Sequence, residues 1–212
     1  MIILDIILIV LLYSFFAVSH SFLALSKIKK TIAEKIGAKI AFYRLFYNIT
    51  SFIFLLALYI IAPRPDIIVY DLQFPFDIIT FVLQILSLCG LYWAGKSVNW
   101  EEFLGFTQIK RYLIYEYNVE DLDEKPTLNI TGAFKFVRHP IYFFSILFLG
   151  LRPTMNLFYL IVFICTVIYF YIGSFYEEKK LIGIFGNEYL EYKERVSRLF
   201  PVMFFLKKMK KS

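Results

Sequence analysis

The stretch Ile141–Phe175, IYFFSILFLGLRPTMNLFYLIVFICTVIYFYIGSF, decides how this chain folds. A bilayer-spanning helix needs about 20 apolar residues, and this run is too long for one such helix. It is broken at Leu151-Arg152-Pro153. The reading is a helical hairpin with a short first arm, Ile141–Gly150, and a full second arm, Thr154–Phe175. An arm of about ten residues rises only about 15 Å, so it is partly embedded or begins deep in the interface.

Towards the N-terminus three more runs reach spanning length: Ile2–Leu25, Ala41–Ala62 and Ile78–Val98. The expectation is an all-α integral membrane protein with five membrane helices, followed by a cytoplasmic amphipathic helix. Composition agrees. Of 212 residues, 59% are hydrophobic and 20% aromatic, and the mean hydropathy is +0.65. Soluble domains are about 45–50% apolar. The first run lacks a basic leader and a small-residue cleavage site, so it reads as a retained span and not a signal peptide. The chain reads as one membrane domain, residues 1–98 giving three N-terminal spans and residues 99–212 the cytoplasmic segment, helical hairpin and tail.

Charge sets an orientation. Six Lys and Arg lie between the first two spans, six between Lys96 and Arg138, and nine after the last span; Arg64 and Arg152 fall on the other side. This asymmetry places the large loop and the C-terminus in the cytoplasm and the N-terminus outside; the membrane is expected to be a prokaryotic inner or plasma membrane. The net charge of +6 then reflects basic residues gathered on one side of a bilayer, not a nucleic-acid surface. Cys89 and Cys165 sit inside apolar runs, with no CxxC spacing and no metal-ligand pattern. Residues 100–134 mix charges with aromatics and suit short helices and a loop at the membrane surface.

Two clusters carry the chemistry. In the first, Asn129–Tyr142, Arg138 and His139 precede Pro140 at a helix start. Proline is tolerated in a first turn, and the free N–H groups there attract a carboxylate or phosphate. The bland alternative is an arginine that snorkels to lipid phosphates and a histidine that caps a helix. In the second, Glu177–Pro201, helical spacing puts Glu178, Leu181, Phe185, Tyr189, Tyr192 and Val196 on one face. Glu177, Glu188, Glu191 and Arg195 fall on another, with Gly186 a possible break. An amphipathic surface helix explains most of this. Adjacent carboxylates leaving an apolar span also call for a cation or hydroxyl donors beside them. Together an anion site and a carboxylate pair suit a zwitterionic or cationic ligand.

The two patterns, Gly132-x-Phe134-x-x-x-Arg138-His139-Pro140-x-Tyr142 and Glu177-Glu178-x-x-Leu181-x-x-x-Phe185-Gly186-x-x-Tyr189-x-x-Tyr192-x-x-x-Val196-x-x-x-x-Pro201, resemble the isoprenylcysteine carboxyl methyltransferase superfamily of integral-membrane methyltransferases. Four shorter segments, Ser19–Lys30, Tyr43–Asn48, Leu104–Gln108 and Arg152–Asn156, look like its bacterial methanethiol S-methyltransferase branch, which is similar to NnrU-type membrane proteins. The resemblance implies methyl transfer from S-adenosylmethionine to a small thiol or other lipophilic acceptor, without a metal. It implies cofactor contacts from Gly132, Phe134, Arg138, His139, Pro140, Tyr142, Glu177, Glu178, Tyr189 and Tyr192. Arg138 and the Pro140 helix start suit the methionine carboxylate, and Glu177 or Glu178 the ribose hydroxyls or the amino group. The tyrosines suit adenine or the sulfonium. His139, Arg195 or the sulfonium would favour the thiolate, with His139, Arg195 and Glu178 as the catalytic candidates.

Phe144 stands where that superfamily usually has a small glycine, so its ring either narrows a passage or faces lipid. His20 reads as a hydrogen-bonded structural residue ahead of a substrate-path residue. Gln84, Asn99 and Trp100 read as packing or interface residues, and Trp93 and Trp100 suit an interfacial belt. The rival functions are isoprenylcysteine carboxyl O-methylation, an NADPH-dependent sterol or enone reductase, and a non-catalytic NnrU-like accessory protein. Glu177-Glu178, where a reductase would hold cofactor phosphate with basic residues, weighs against the second.

Overall fold

A computed structural model describes residues 1–119, 122 and 127–204. Lys125 and the lysines after residue 204, counted above for orientation, lie outside the described residues. The chain is mostly helical. Among the described residues four helical stretches are long and apolar enough to cross a membrane: Ile2–Ala24, Ser26–Ile61, Phe76–Gly95 and Leu157–Phe185. A shorter apolar helix, Pro140–Gly150, joins them. Large apolar side chains point outward from these helices, among them Ile3, Val18, Phe52 and Ile60. Outward-facing hydrocarbon of this extent suits a lipid solvent.

The chain divides into two compact units, Met1–Pro65 with Val98–Lys125, and Asp66–Ser97 with Pro126–Ser212. In the first unit, α1 (Ile2–Ala24) turns at an extended Leu25 into α2 (Ser26–Ile36). A 3₁₀ segment, Gly37–Phe42, then leads into α3 (Tyr43–Ile61). Ile9 and Tyr13 of α1 are buried, and Phe15 packs on Phe54 of α3. His20 joins the same two helices: one ring nitrogen lies 2.8 Å from Ser51 Oγ and the other 2.6 Å from Tyr47 Oη. The structural reading of His20 fits these contacts, since a polar ring between spans needs partners.

Two short helices complete this unit, α5 (Trp100–Leu104) and α6 (Phe106–Leu113). Asn99 caps α5 by accepting from the Glu102 N–H at 3.2 Å. Arg44 and Asn48 of α3 both donate to the Phe103 carbonyl, each at 2.9 Å. Gly105 stands between α5 and α6 at φ 97°, where a Cβ would lie 2.8 Å from the Leu45 nitrogen. Short helices are therefore present within residues 100–134, over Trp100–Leu104 and Phe106–Leu113.

In the second unit α4 (Phe76–Gly95) packs along α7 (Pro140–Gly150). Ser87, Gly90, Ala94 and Gly95 of α4 are buried, and small residues let helix backbones approach closely. Phe144 fills the space over Gly90: a Cβ on that glycine would fall 2.3 Å from its ring carbons. The ring also lies against Trp93, 6.5 Å between centroids. Neither alternative offered for Phe144 describes this. It is a packed contact between two helices. Gln84 likewise reaches across, donating to the Phe148 carbonyl at 2.9 Å.

The sequence reading contained no strands. The structure has β1 (Ile68–Asp71) paired antiparallel with β2 (Thr154–Asn156). The pair fastens the break that follows α7, with the Thr154 hydroxyl donating to Asp71 at 2.6 Å and Tyr70 to the Arg152 carbonyl at 3.1 Å. Arg152 stacks on Tyr159 at 3.9 Å, which gives this charge an aromatic partner. The second arm, α8 (Leu157–Phe185), starts three residues later than expected and runs ten residues further. Asn156 caps it, and nothing between Phe175 and Phe185 breaks a helix. Gly186 does, at φ 55° and ψ −128°, a conformation for which glycine is suited. The tail is therefore two helices, α8 and α9 (Asn187–Arg195).

Candidate functional site

The second unit gathers both sequence clusters around one carboxylate, Glu178. The chain before α7 brings the first. Val137 forms a parallel bridge with Ser197. The Arg138 N–H donates to the Ser197 carbonyl at 2.9 Å, and the His139 N–H to the Arg198 carbonyl at 3.1 Å. Pro140 then opens α7 at its first position, where a missing N–H costs nothing. These bonds fix Arg138 and His139 with their side chains turned inward, 8% and 6% exposed. Tyr192 closes the turn below by donating to the Phe134 carbonyl at 2.7 Å, and Gly132 enters it at φ 56°.

Glu178 is 2% exposed and projects from α8 into this corner. Oε1 accepts from Arg138 Nε at 2.9 Å and lies 2.7 Å from its Nη2. Arg198 donates to both oxygens, Nε to Oε1 at 3.1 Å and Nη2 to Oε2 at 3.0 Å. Lys193 Nζ stands 4.0 Å from Oε2. Three cations thus surround one buried carboxylate, a net positive arrangement. Arg138 is committed internally, since its Nη1 also donates to the Lys193 carbonyl at 2.9 Å and to the Val196 carbonyl. The Arg198 guanidinium, besides holding Glu178, stacks at 3.6 Å on Phe175.

Glu177, one residue earlier, lies at the exposed edge. It accepts from the Tyr142 hydroxyl at 3.1 Å and sits 3.4 Å from His139 Nδ1. His139 Nε2 is 3.4 Å from Glu178, so its two ring nitrogens face different carboxylates. Burial alone would push the imidazole pKa down. The two glutamates outweigh burial and raise it above 6.5, favouring the form that donates from both nitrogens. The ring stacks on Tyr142, which stacks in turn on Phe170 at 4.4 Å.

Tyr189 and Tyr192 project from α9 into the same corner, 1% and 8% exposed. Burial pushes both phenols well above their ordinary range, the Glu178 charge adding to it for each and the neighbouring Tyr189 for Tyr192. Both stay protonated donors near neutral pH. Arg195 is placed elsewhere. It is exposed and paired with Glu191 at 3.1 Å, and it lines neither of the cavities described next. Glu178, Tyr189 and Tyr192 do share one buried side as the helical spacing suggested, although Gly186 puts them on two helices.

Two open cavities flank the cluster, of about 490 Å³ and 340 Å³. Both lie within the range of about 300–1,000 Å³ for ligand pockets. Lys193 and Arg198 line both, so these side chains stand between them. The larger adds Arg138, Tyr171 and Phe200; the smaller adds Glu178, Phe175 and Tyr176. Cations, a carboxylate and aromatic walls suit a ligand that carries a carboxylate, an ammonium and a flat ring. Lys193 and Arg198 escaped the sequence reading, which named Arg195 from the same segment. The available signal was charge balance: a carboxylate pair at the end of an apolar run with a single motif arginine needs further cations.

Over 196 residues, 90% of its length, the chain is 31% identical to methanethiol S-methyltransferase 1 of Bradyrhizobium diazoefficiens. It spans 65% of that protein's length. No protein-family model matches the chain, and no solved structure matches it.

Proposed function

We propose that the chain is an integral-membrane methyltransferase of the methanethiol S-methyltransferase kind, with S-adenosylmethionine as methyl donor and a small thiol as acceptor. The observation that carries this reading is the 31% identity, sustained over 90% of the chain, to a protein of that name. The site agrees with it, because the arginine-histidine and glutamate clusters, about forty residues apart in sequence, meet at Glu178.

Bound there, S-adenosylmethionine supplies a methyl group on a sulfonium for in-line transfer to sulfur. Lys193 and Arg198 are the cations that line both cavities, and they meet the ligand carboxylate. Arg138 holds the corner together, fixing Glu178 and the α9 end that carries Lys193. Of the two glutamates Glu178 lines a cavity and is the one offered to an ammonium or ribose hydroxyls, while Glu177, at the exposed edge, holds His139. Tyr171, Phe175, Tyr176 and Phe200 give apolar and aromatic walls that exclude water and pack a flat ring. An acceptor thiol reacts as its thiolate. The surplus positive charge of Lys193 and Arg198 lowers the cost of that anion. His139, held towards its protonated form by two carboxylates, orients Glu177 and Glu178 and is not the base. By the basic residues of the sequence this site opens to the cytoplasm.

Calorimetric titration of S-adenosylmethionine and S-adenosylhomocysteine into detergent-purified protein tests the reading. Both bind the wild type, and Lys193→Ala with Arg198→Ala weakens them at least tenfold. A folded wild type that binds neither compound but binds NADPH would replace it with the reductase reading.

A further inference from the structure

The first unit contains a small, nearly closed cavity far in sequence from the glutamate cluster. Its walls include Lys29 of α2, Ile40 and Ala41 of the 3₁₀ segment, Tyr43 and Arg44 of α3, and Gln108 of α6. About 10 Å³ of it is open to a water-sized sphere, which is roughly the room that one water molecule needs. Lys29 and Gln108 are each 6% exposed.

Gln108 makes the cavity informative. Its Nε2 donates to the Glu102 carbonyl at 3.1 Å, and because a carbonyl only accepts, that bond fixes the amide orientation. The Oε1 atom is then the one buried side-chain acceptor among the described residues with no hydrogen-bond partner in the protein. A buried acceptor left without a partner is destabilising. The Lys29 ammonium and the Arg44 guanidinium, both donors, line the same cavity, as does the Tyr43 hydroxyl, which gives its proton to the Leu23 carbonyl at 2.9 Å and keeps a lone pair to accept with.

We propose that this cavity is a binding site for one small molecule that both donates and accepts hydrogen bonds, namely a structural water. The water donates to Gln108 Oε1 and accepts from a cationic side chain of the wall. It satisfies the acceptor and joins Gln108 of α6 to Lys29 of α2 or Arg44 of α3. The cavity is too small for a larger ligand, and anions are disfavoured by the carbonyl oxygen aimed into it.

A map of the detergent-solubilised protein sharp enough to show ordered water is the direct test. A density peak within hydrogen-bond distance of Gln108 Oε1 is expected. Ala41→Val fills the same space with methyl groups, so the peak disappears and the unfolding temperature falls by several degrees. Ala41→Ser, whose hydroxyl takes over the role of the water, stays near the wild type. A map without the peak overturns the proposal. So does an Ala41→Val protein that is more stable than the wild type, because filling a dry void stabilises.

Discussion

Glu178 is the residue on which the second unit turns. Its carboxylate is 2% exposed and answers Arg138, Arg198 and one nitrogen of His139. Breaking a buried ion pair from one side leaves the other charge uncompensated and costs about 3–5 kcal/mol. Glu178→Gln keeps the shape and removes the charge, so the unfolding free energy from a denaturant titration should drop by an amount of that order. A loss below about 1 kcal/mol, typical of exposed pairs, would show that the cluster does not hold the fold. His139 supplies a pH dependence. Its folded-state pKa is raised above 6.5 by the glutamates, against burial. Its contribution to stability is therefore complete below about pH 6.5 and lost as pH rises through the raised value. His139→Gln should flatten the stability profile on that alkaline side, as read by unfolding temperature from pH 6 upward in detergent. Much of this corner was legible in the sequence: Arg138, His139, Glu177 and Glu178 all carried a demand for partners. Which partners was not legible, since Arg198 meets Glu178 only because the 196–199 segment runs beside Val137–His139.

At the scale of elements, hydropathy placed the apolar helices well, because a run of about twenty apolar residues has few other stable outcomes. It ended α8 too early. The sequence changes from apolar to charged near Glu177, but helix geometry continues as long as no residue breaks it, here until Gly186. The β1–β2 pair was invisible for another reason. Four residues and three residues, separated by more than eighty positions, carry no periodicity that a strand reading could detect. Phe144 was legible as bulk in an unusual place, whereas its receptor, Gly90, was not. Gly90→Ala should therefore cost about 1–3 kcal/mol through overpacking of α4 on α7. Adding Phe144→Ala to Gly90→Ala should recover part of that loss. Thermal unfolding of the single and double variants checks it, and additive losses would show that the two residues do not share one space.

For the whole molecule, composition was enough to predict a membrane-spanning chain, and the four long apolar helices agree. The proposed activity is a chemical question that neither helices nor cavities answer alone, and it rests on the Glu178 corner together with the similarity to methanethiol S-methyltransferase 1. The most direct test supplies methyl-labelled S-adenosylmethionine and methanethiol to membranes containing the protein, beside membranes with Arg198→Ala. Label should appear in volatile dimethyl sulfide with the wild type and fall at least tenfold with the variant. Folded protein that yields no labelled thioether, or that labels only a base-labile ester on a prenylcysteine, would contradict the account.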